Sequence, residues 1–102
     1  MQSLKDVAKY VRSKNAGPFW VTIDIFCDSD DSYGRVTRAP ALSSEAVGSL
    51  YGVAASLVKI FRVDPLRVVK ISFPRPVAQG SARDVDSHAG QVFVPLLDVE
   101  VA

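Results

Sequence analysis

With 102 residues, 48% hydrophobic and 23% charged, the chain has the size and make-up of one globular domain and too many apolar residues to remain disordered. Twelve Lys and Arg against eleven Asp and Glu leave a formal charge of +1, so no broad field draws it to nucleic acid or acidic membrane. No stretch reaches the roughly 18–20 apolar residues of a membrane helix, the opening residues lack the basic-then-apolar pattern of a secretory signal, and the single cysteine, Cys27, has no internal partner; a reducing cytoplasm is the expected location.

The first segment admits two readings. Leu4, Val7, Ala8 and Val11 keep helical spacing, and Ser3 with Asp6 imitates a capping box. The same stretch alternates as a strand, with Val7, Lys9 and Val11 against Ala8, Tyr10 and Arg12. A polar turn over 12–18 follows. Residues 19–27 are the clearest strand: Phe19, Val21, Ile23, Ile25 and Cys27 alternate with Trp20, Thr22, Asp24 and Phe26, and aromatics on both faces place it centrally. The acidic run 28–32 breaks it, and a short helix over about 31–38 is predicted to end before Pro40. A second helix starts at Ser43 or Ser44, carries Glu45 in its first turn, and gathers Leu42, Ala46, Val47, Leu50 and Tyr51 on one side before stopping at Gly52. Strands are predicted over 57–63, 66–73 and 92–101. Asp64-Pro65 joins the first two as a hairpin, Pro74-Arg75-Pro76 ends the second, and Pro95 demotes the start of the third to an edge or bulge. No repeat or linker divides the chain, so residues 1–102 are read as a single domain.

Chemically useful groups are densest in Arg12-Ser13-Lys14-Asn15-Ala16-Gly17-Pro18. A guanidinium fork, an ammonium, a hydroxyl and an amide precede a flexible glycine and a rigid proline, a combination that can hold a carboxylate or phosphate. It is no Walker motif, and its plain alternative is a polar turn. The loop 74–91 exceeds the roughly 12–15 residues of an idle connection and carries Arg75. Its Asp84, Asp86 and His88 occupy alternate positions, which in an extended strand puts three metal-ligand types on one side. Acidic loops produce that spacing by chance, so neither metal nor cofactor is assigned. His88 is the candidate general acid or base, with no nucleophile or second base identifiable beside it. Cys27 reads as a small buried hydrophobe. Asp24, a carboxylate within an apolar strand, must find a partner or face solvent; Arg12 or Lys14 is the nearest. The aromatics Phe19, Trp20, Phe26, Phe61, Phe73 and Phe93 are read mostly as core, and they make no base-stacking platform unless basic residues flank them on one face.

The runs Leu4-Lys5-Asp6-Val7-Ala8 and Arg12-Ser13-Lys14-Asn15-Ala16-Gly17-Pro18 resemble the opening of the uncharacterised-domain family numbered 4387. Leu50-Tyr51-Gly52-Val53, Asp64-Pro65, Lys70 with Pro74-Arg75-Pro76, and Pro95-Leu96-Leu97-Asp98-Val99-Glu100 extend the resemblance over nearly the whole chain. It also looks related to the ferredoxin-fold segment that ends proteins of the AtuA-like group, named for acyclic terpene utilisation, although the loop here reads Ser-Lys-Asn-Ala-Gly where that group is rich in glycine and aspartate. The resemblance implies an α+β fold, a two-layer ferredoxin-like sandwich with a mainly antiparallel sheet and two short helices on one face, and it makes the first segment a strand. It implies a larger AtuA-like protein chain as partner, often encoded alongside in bacterial catabolism, with this chain as its small accessory or site-completing subunit. The reaction would be hydration, dehydration or isomerisation of an organic acid or its thioester, with Arg12, Ser13, Lys14, Asn15, Gly17, Asp24 and Arg75 forming the ligand site or interface for an anionic carboxylate or acyl-thioester. Two other readings stand beside it: a stand-alone small-acid-binding or homo-oligomeric module, and a small lyase or isomerase using His88 with Asp84 or Asp86. Neither nucleic acid nor membrane is an expected partner.

Overall fold

A computed structural model describes residues 2–16, 19–74 and 94–101. Gly17, Arg75, Asp84, Asp86, His88 and Phe93 lie outside the described residues, so the expectations placed on them do too. Four strands form one antiparallel sheet: β2 (Tyr10–Asn15), β3 (Trp20–Phe26), β4 (Lys59–Val63) and β5 (Val68–Pro74), in the order β2-β3-β5-β4. The strand with apolar residues on both faces is central, as its pattern predicts. Asp24 of β3 stands opposite Arg12 on one side and Lys70 on the other, while Ile23 stands opposite Ser13 and Ile71. A separate two-stranded ribbon pairs β1 (Gln2–Ser3) with β6 (Glu100–Val101).

The connection from β3 to β4 carries the two longer helices. In α2 (Asp30–Arg38), Ser29 is the N-cap, its Oγ accepting the Ser32 backbone N–H at 3.1 Å, with Asp30 and Asp31 in the positive first turn and Arg35 and Arg38 in the last. The helix ends before Pro40. In α3 (Ser44–Tyr51), the Ser43 Oγ accepts the Ala46 N–H at 3.2 Å, and Gly52 closes the helix in the left-handed region at φ 70°. Val36 of α2 and Val47 of α3 join Val11, Val21, Ile23, Ile25, Val69, Ile71 and Phe73 in one buried cluster. The helices therefore cover the sheet face formed by the odd-numbered residues of β2, β3 and β5. At Gly48 an added Cβ would lie 2.4 Å from the Val53 carbonyl oxygen, so α3 approaches the following chain as closely as only glycine permits.

Three stretches depart from the sequence-based expectation. Leu4–Val7 forms a single helical turn, α1, and a strand begins only at Tyr10, so each reading of this segment holds for half of it. Ser3 Oγ donates to Asp6 Oδ2 at 2.8 Å, but caps no backbone N–H. The polar turn expected from residue 12 starts later, because Arg12 through Asn15 pair residue by residue with Asp24 through Val21. In the described part of 92–101, Val94–Asp98 is a 3-10 turn and only Glu100–Val101 is strand. Pro95, which has no N–H to give a ladder, sits in that turn.

The architecture is thus α+β, with an antiparallel four-stranded sheet and helices packed on one face. A ferredoxin-like chain alternates β-α-β-β-α-β within one sheet. Here both longer helices occupy one connection between two hairpins, and β1 pairs with β6 outside the main sheet. No helix among the described residues is long and apolar enough to cross a membrane.

Candidate functional site

The pleat that sends odd residues of β3 into the core sends Trp20, Thr22, Asp24 and Phe26 to the opposite side. Register adds Tyr10, Arg12 and Lys14 from β2, Lys70 and Ser72 from β5, and Lys59 and Phe61 from β4. Tyr10 is 40% exposed and Phe61 55%, while Arg12, Lys14 and Lys59 are exposed as well. Among the described residues, four cations, Arg12, Lys14, Lys59 and Lys70, therefore share this open face with one carboxylate, Asp24. An overall charge near neutrality conceals the asymmetry, because the other acids of the described residues lie elsewhere.

The centre of the face is ordered by direct contacts. Tyr10 and Phe26 stack as a cross-strand pair with ring centroids 4.4 Å apart. The Arg12 guanidinium carbon stands 4.9 Å from the Tyr10 centroid and 5.8 Å from that of Phe26, within cation–π range. Asp24 meets Lys70 at 3.4 Å, correcting the expectation that Arg12 or Lys14 would be its partner. Arg12 is directly opposite Asp24 in register, but its head is drawn to the two rings. The Lys70 ammonium is near enough to balance charge without being aligned as a donor, and the buried Asp24 Oδ1 has no hydrogen-bond partner among the described residues. A desolvated carboxylate oxygen lacking a donor is costly.

The strand splits the group of residues that the sequence brings together. Arg12, Lys14 and Asp24 share the open face, while Ser13 and Asn15 lie on the helix side opposite Ile23 and Val21, where both engage neighbours within the fold. Gly17 and Arg75 lie outside the described residues. Lys59, Phe61 and Tyr10 were missed as members of the surface, although period two in β2 and β4 carries the signal once their pairing is known. Phe61 and Phe19 are not core: Phe19 is 58% exposed. Trp20 and Phe26 are half-buried on the open side, where basic residues do flank aromatics.

Other reactive-looking groups have structural work. Asp30 Oδ1 accepts from Arg67 Nε at 2.8 Å, tying the start of α2 to the β4–β5 hairpin, and Arg67 holds φ 52° while its carbonyl accepts the Cys27 N–H. Tyr33 donates to Asp64; burial first, then that bond, pushes its phenol up to about 12. Cys27 is buried, and desolvation together with Asp28 raises its thiol, which keeps it protonated and poorly nucleophilic. No group of three His, Cys, Asp or Glu suited to a metal ion occurs among the described residues.

Neither the curated proteins nor the solved structures contain a match to this chain. A family model described as a domain of unknown function, DUF4387, matches residues 4–100 and so takes in every strand of the sheet and all of the described open face. The chain belongs to the DUF4387 family.

Proposed function

We propose that this chain is an accessory, site-completing subunit that docks its open sheet face on a larger AtuA-like chain acting on organic acids or their thioesters. The observation that carries this reading is the content of that face: four cations against one carboxylate, with Tyr10, Phe26 and Phe61 among them. Aromatic and arginine side chains anchor protein interfaces because they bury much area with few rotatable bonds. A cationic rim selects an acidic counterpart and accelerates encounter. In this reading the hydration, dehydration or isomerisation chemistry belongs to the larger chain. The ferredoxin-like kinship implied by the resemblance is likewise part of the proposal and finds support in the two-layer architecture rather than in the strand order.

Co-expression with a large AtuA-like chain tests the proposal, with size-exclusion light scattering as the readout. A stoichiometric complex is expected. Lys14→Glu combined with Lys59→Glu, which leaves the Asp24–Lys70 pair in place, should abolish it. Lys5→Glu on α1, whose native partner is Asp98 at 3.1 Å, should leave it intact. A lone monomer beside a fully active large chain refutes the reading. Self-association of the isolated chain, lost with the same double substitution, would assign the face to a homo-oligomer instead.

A further inference from the structure

A groove of about 760 Å³ lies on the other side of the sheet edge, between the C-terminal end of α2 and strand β4. Its floor is apolar: Val36, Leu42 and Val69 are buried and Ile60 is half-buried against the same core. Arg38 and Arg62 stand in its lining, which contains no acidic side chain among the described residues. Its volume falls within the roughly 300–1,000 Å³ typical of small-molecule sites. Among the described residues the strand β4 has a neighbour on one side only, so the groove lies at the edge of the sheet as described.

Two arginines beside an apolar floor select a ligand with a carboxylate at one end and hydrocarbon at the other. Arg62 Nη2 donates to the Thr37 carbonyl oxygen at 3.1 Å. That bond has two consequences. It holds the guanidinium at the mouth of the groove with its remaining N–H groups available, and it satisfies one of the last-turn carbonyls of α2 that would otherwise repel an anion. Arg38 is exposed and has no hydrogen bond among the described residues; its guanidinium rests over Gly34 one turn back on α2, with nothing to break when it swings to a carboxylate in the groove. Neutral ligands of the same length forgo both guanidiniums, and short acids forgo the floor.

We propose that this groove binds an aliphatic monocarboxylate, its carboxylate held by Arg38 and Arg62 and its tail laid on Val36, Leu42, Ile60 and Val69. The groove meets the open sheet face at Phe61 of the edge strand but includes none of that face's cations, so binding of the acid does not require that face to dock a partner.

Titration of the full chain with octanoate, octanol and acetate, followed by calorimetry and backbone amide shifts, tests it. Octanoate should bind about tenfold more tightly than either octanol or acetate, and Arg38→Gln and Arg62→Gln should each weaken it by about tenfold, the loss of one charge-assisted contact. Shifts should map to α2 and β4, and Arg12→Ala on the open face should bind as the parent does. Arg38→Gln removes no hydrogen bond within the described fold, so it remains decisive if Arg62→Gln impairs folding. Equal binding of octanol and octanoate, unchanged affinity in Arg38→Gln, no binding at millimolar octanoate, or shifts confined to the open face would each overturn the proposal.

Discussion

The two faces of the main sheet are built from the same four strands and differ by one residue of register. On the helix side Val11, Ile23, Ile25, Val69, Ile71 and Phe73 meet Val36 and Val47 in one buried cluster, with Arg62 of the edge strand as the exposed exception. One residue along, the other side presents Arg12, Lys14, Lys70, Lys59 and exposed rings at Tyr10 and Phe61. Folding explains the first set and not the second, since polar alternation would satisfy solvent without Tyr10, Phe26 and Phe61. That difference separates what this sequence needs to fold from what folding leaves unexplained, the part that the proposed docking would use.

The largest expected effect sharpens the contrast between adjacent positions of β3. Ile23 is 0% exposed at the centre of the core, and Ile23→Ala should cost about 2–5 kcal/mol. Thr22, half-buried on the open side and 3.4 Å from the Ser72 hydroxyl, should cost under about 1 kcal/mol as Ala. Urea denaturation of both variants measures this directly. Comparable losses would mean that the open face is packed like a second core and that its polar appearance is incidental.

A smaller effect is expected in the helical layer. In Gly48→Ala the new Cβ would fall 2.4 Å from the Val53 carbonyl oxygen and 3.3 Å from the Ala55 nitrogen. Both are backbone atoms, so α3 must shift, at about 1–3 kcal/mol. Gly52→Ala has open space around it but must hold φ 70°, at about 1 kcal/mol. Thermal melts should rank Gly48→Ala below Gly52→Ala. The reverse ranking would show that the helix layer is loosely seated on the sheet.

The two glycines also mark the limit of what the sequence discloses. Gly52 is legible because a C-terminal glycine follows an apolar helical stripe, and the caps at Ser29 and Ser43, the Asp64-Pro65 hairpin and the central position of β3 are legible for similar local reasons. Gly48 is not, since its constraint comes from chain that returns five to seven residues later. The site divides in the same way. Arg12, Lys14 and Asp24 are visible as charges in an apolar neighbourhood, but a turn and a strand distribute them differently. The turn reading grouped Ser13 and Asn15 with them, and pairing with β3 turns both away. Lys59 and Phe61 join the face only through the β4–β5 register, and Arg38 and Arg62 share a groove only because α2 lies beside an edge strand. Tertiary pairing carries this information, and local period cannot.

The smallest effect concerns the ionisation of a ring on the closed side. Tyr51 stacks at a tilt on Phe73, centroids 4.7 Å apart, and burial raises its phenol well above the ordinary value of 10.0. Because the folded value is higher than the unfolded one, the contribution to stability is complete below about pH 10. Above that pH the unfolded chain releases the proton first, and the contribution declines as pH rises toward the folded value. Tyr51→Phe should leave stability near pH 7 little changed and flatten the decline above pH 10, by under about 1 kcal/mol once screening of the half-exposed ring is discounted. Some decline must remain, because Tyr33 is also raised, to about 12. Denaturation midpoints at pH 8, 10 and 11 separate these contributions. Identical alkaline slopes for the parent and Tyr51→Phe would mean that the phenol already reaches water, and that the helix layer covers its face of the sheet less completely than the packing of Phe73 requires.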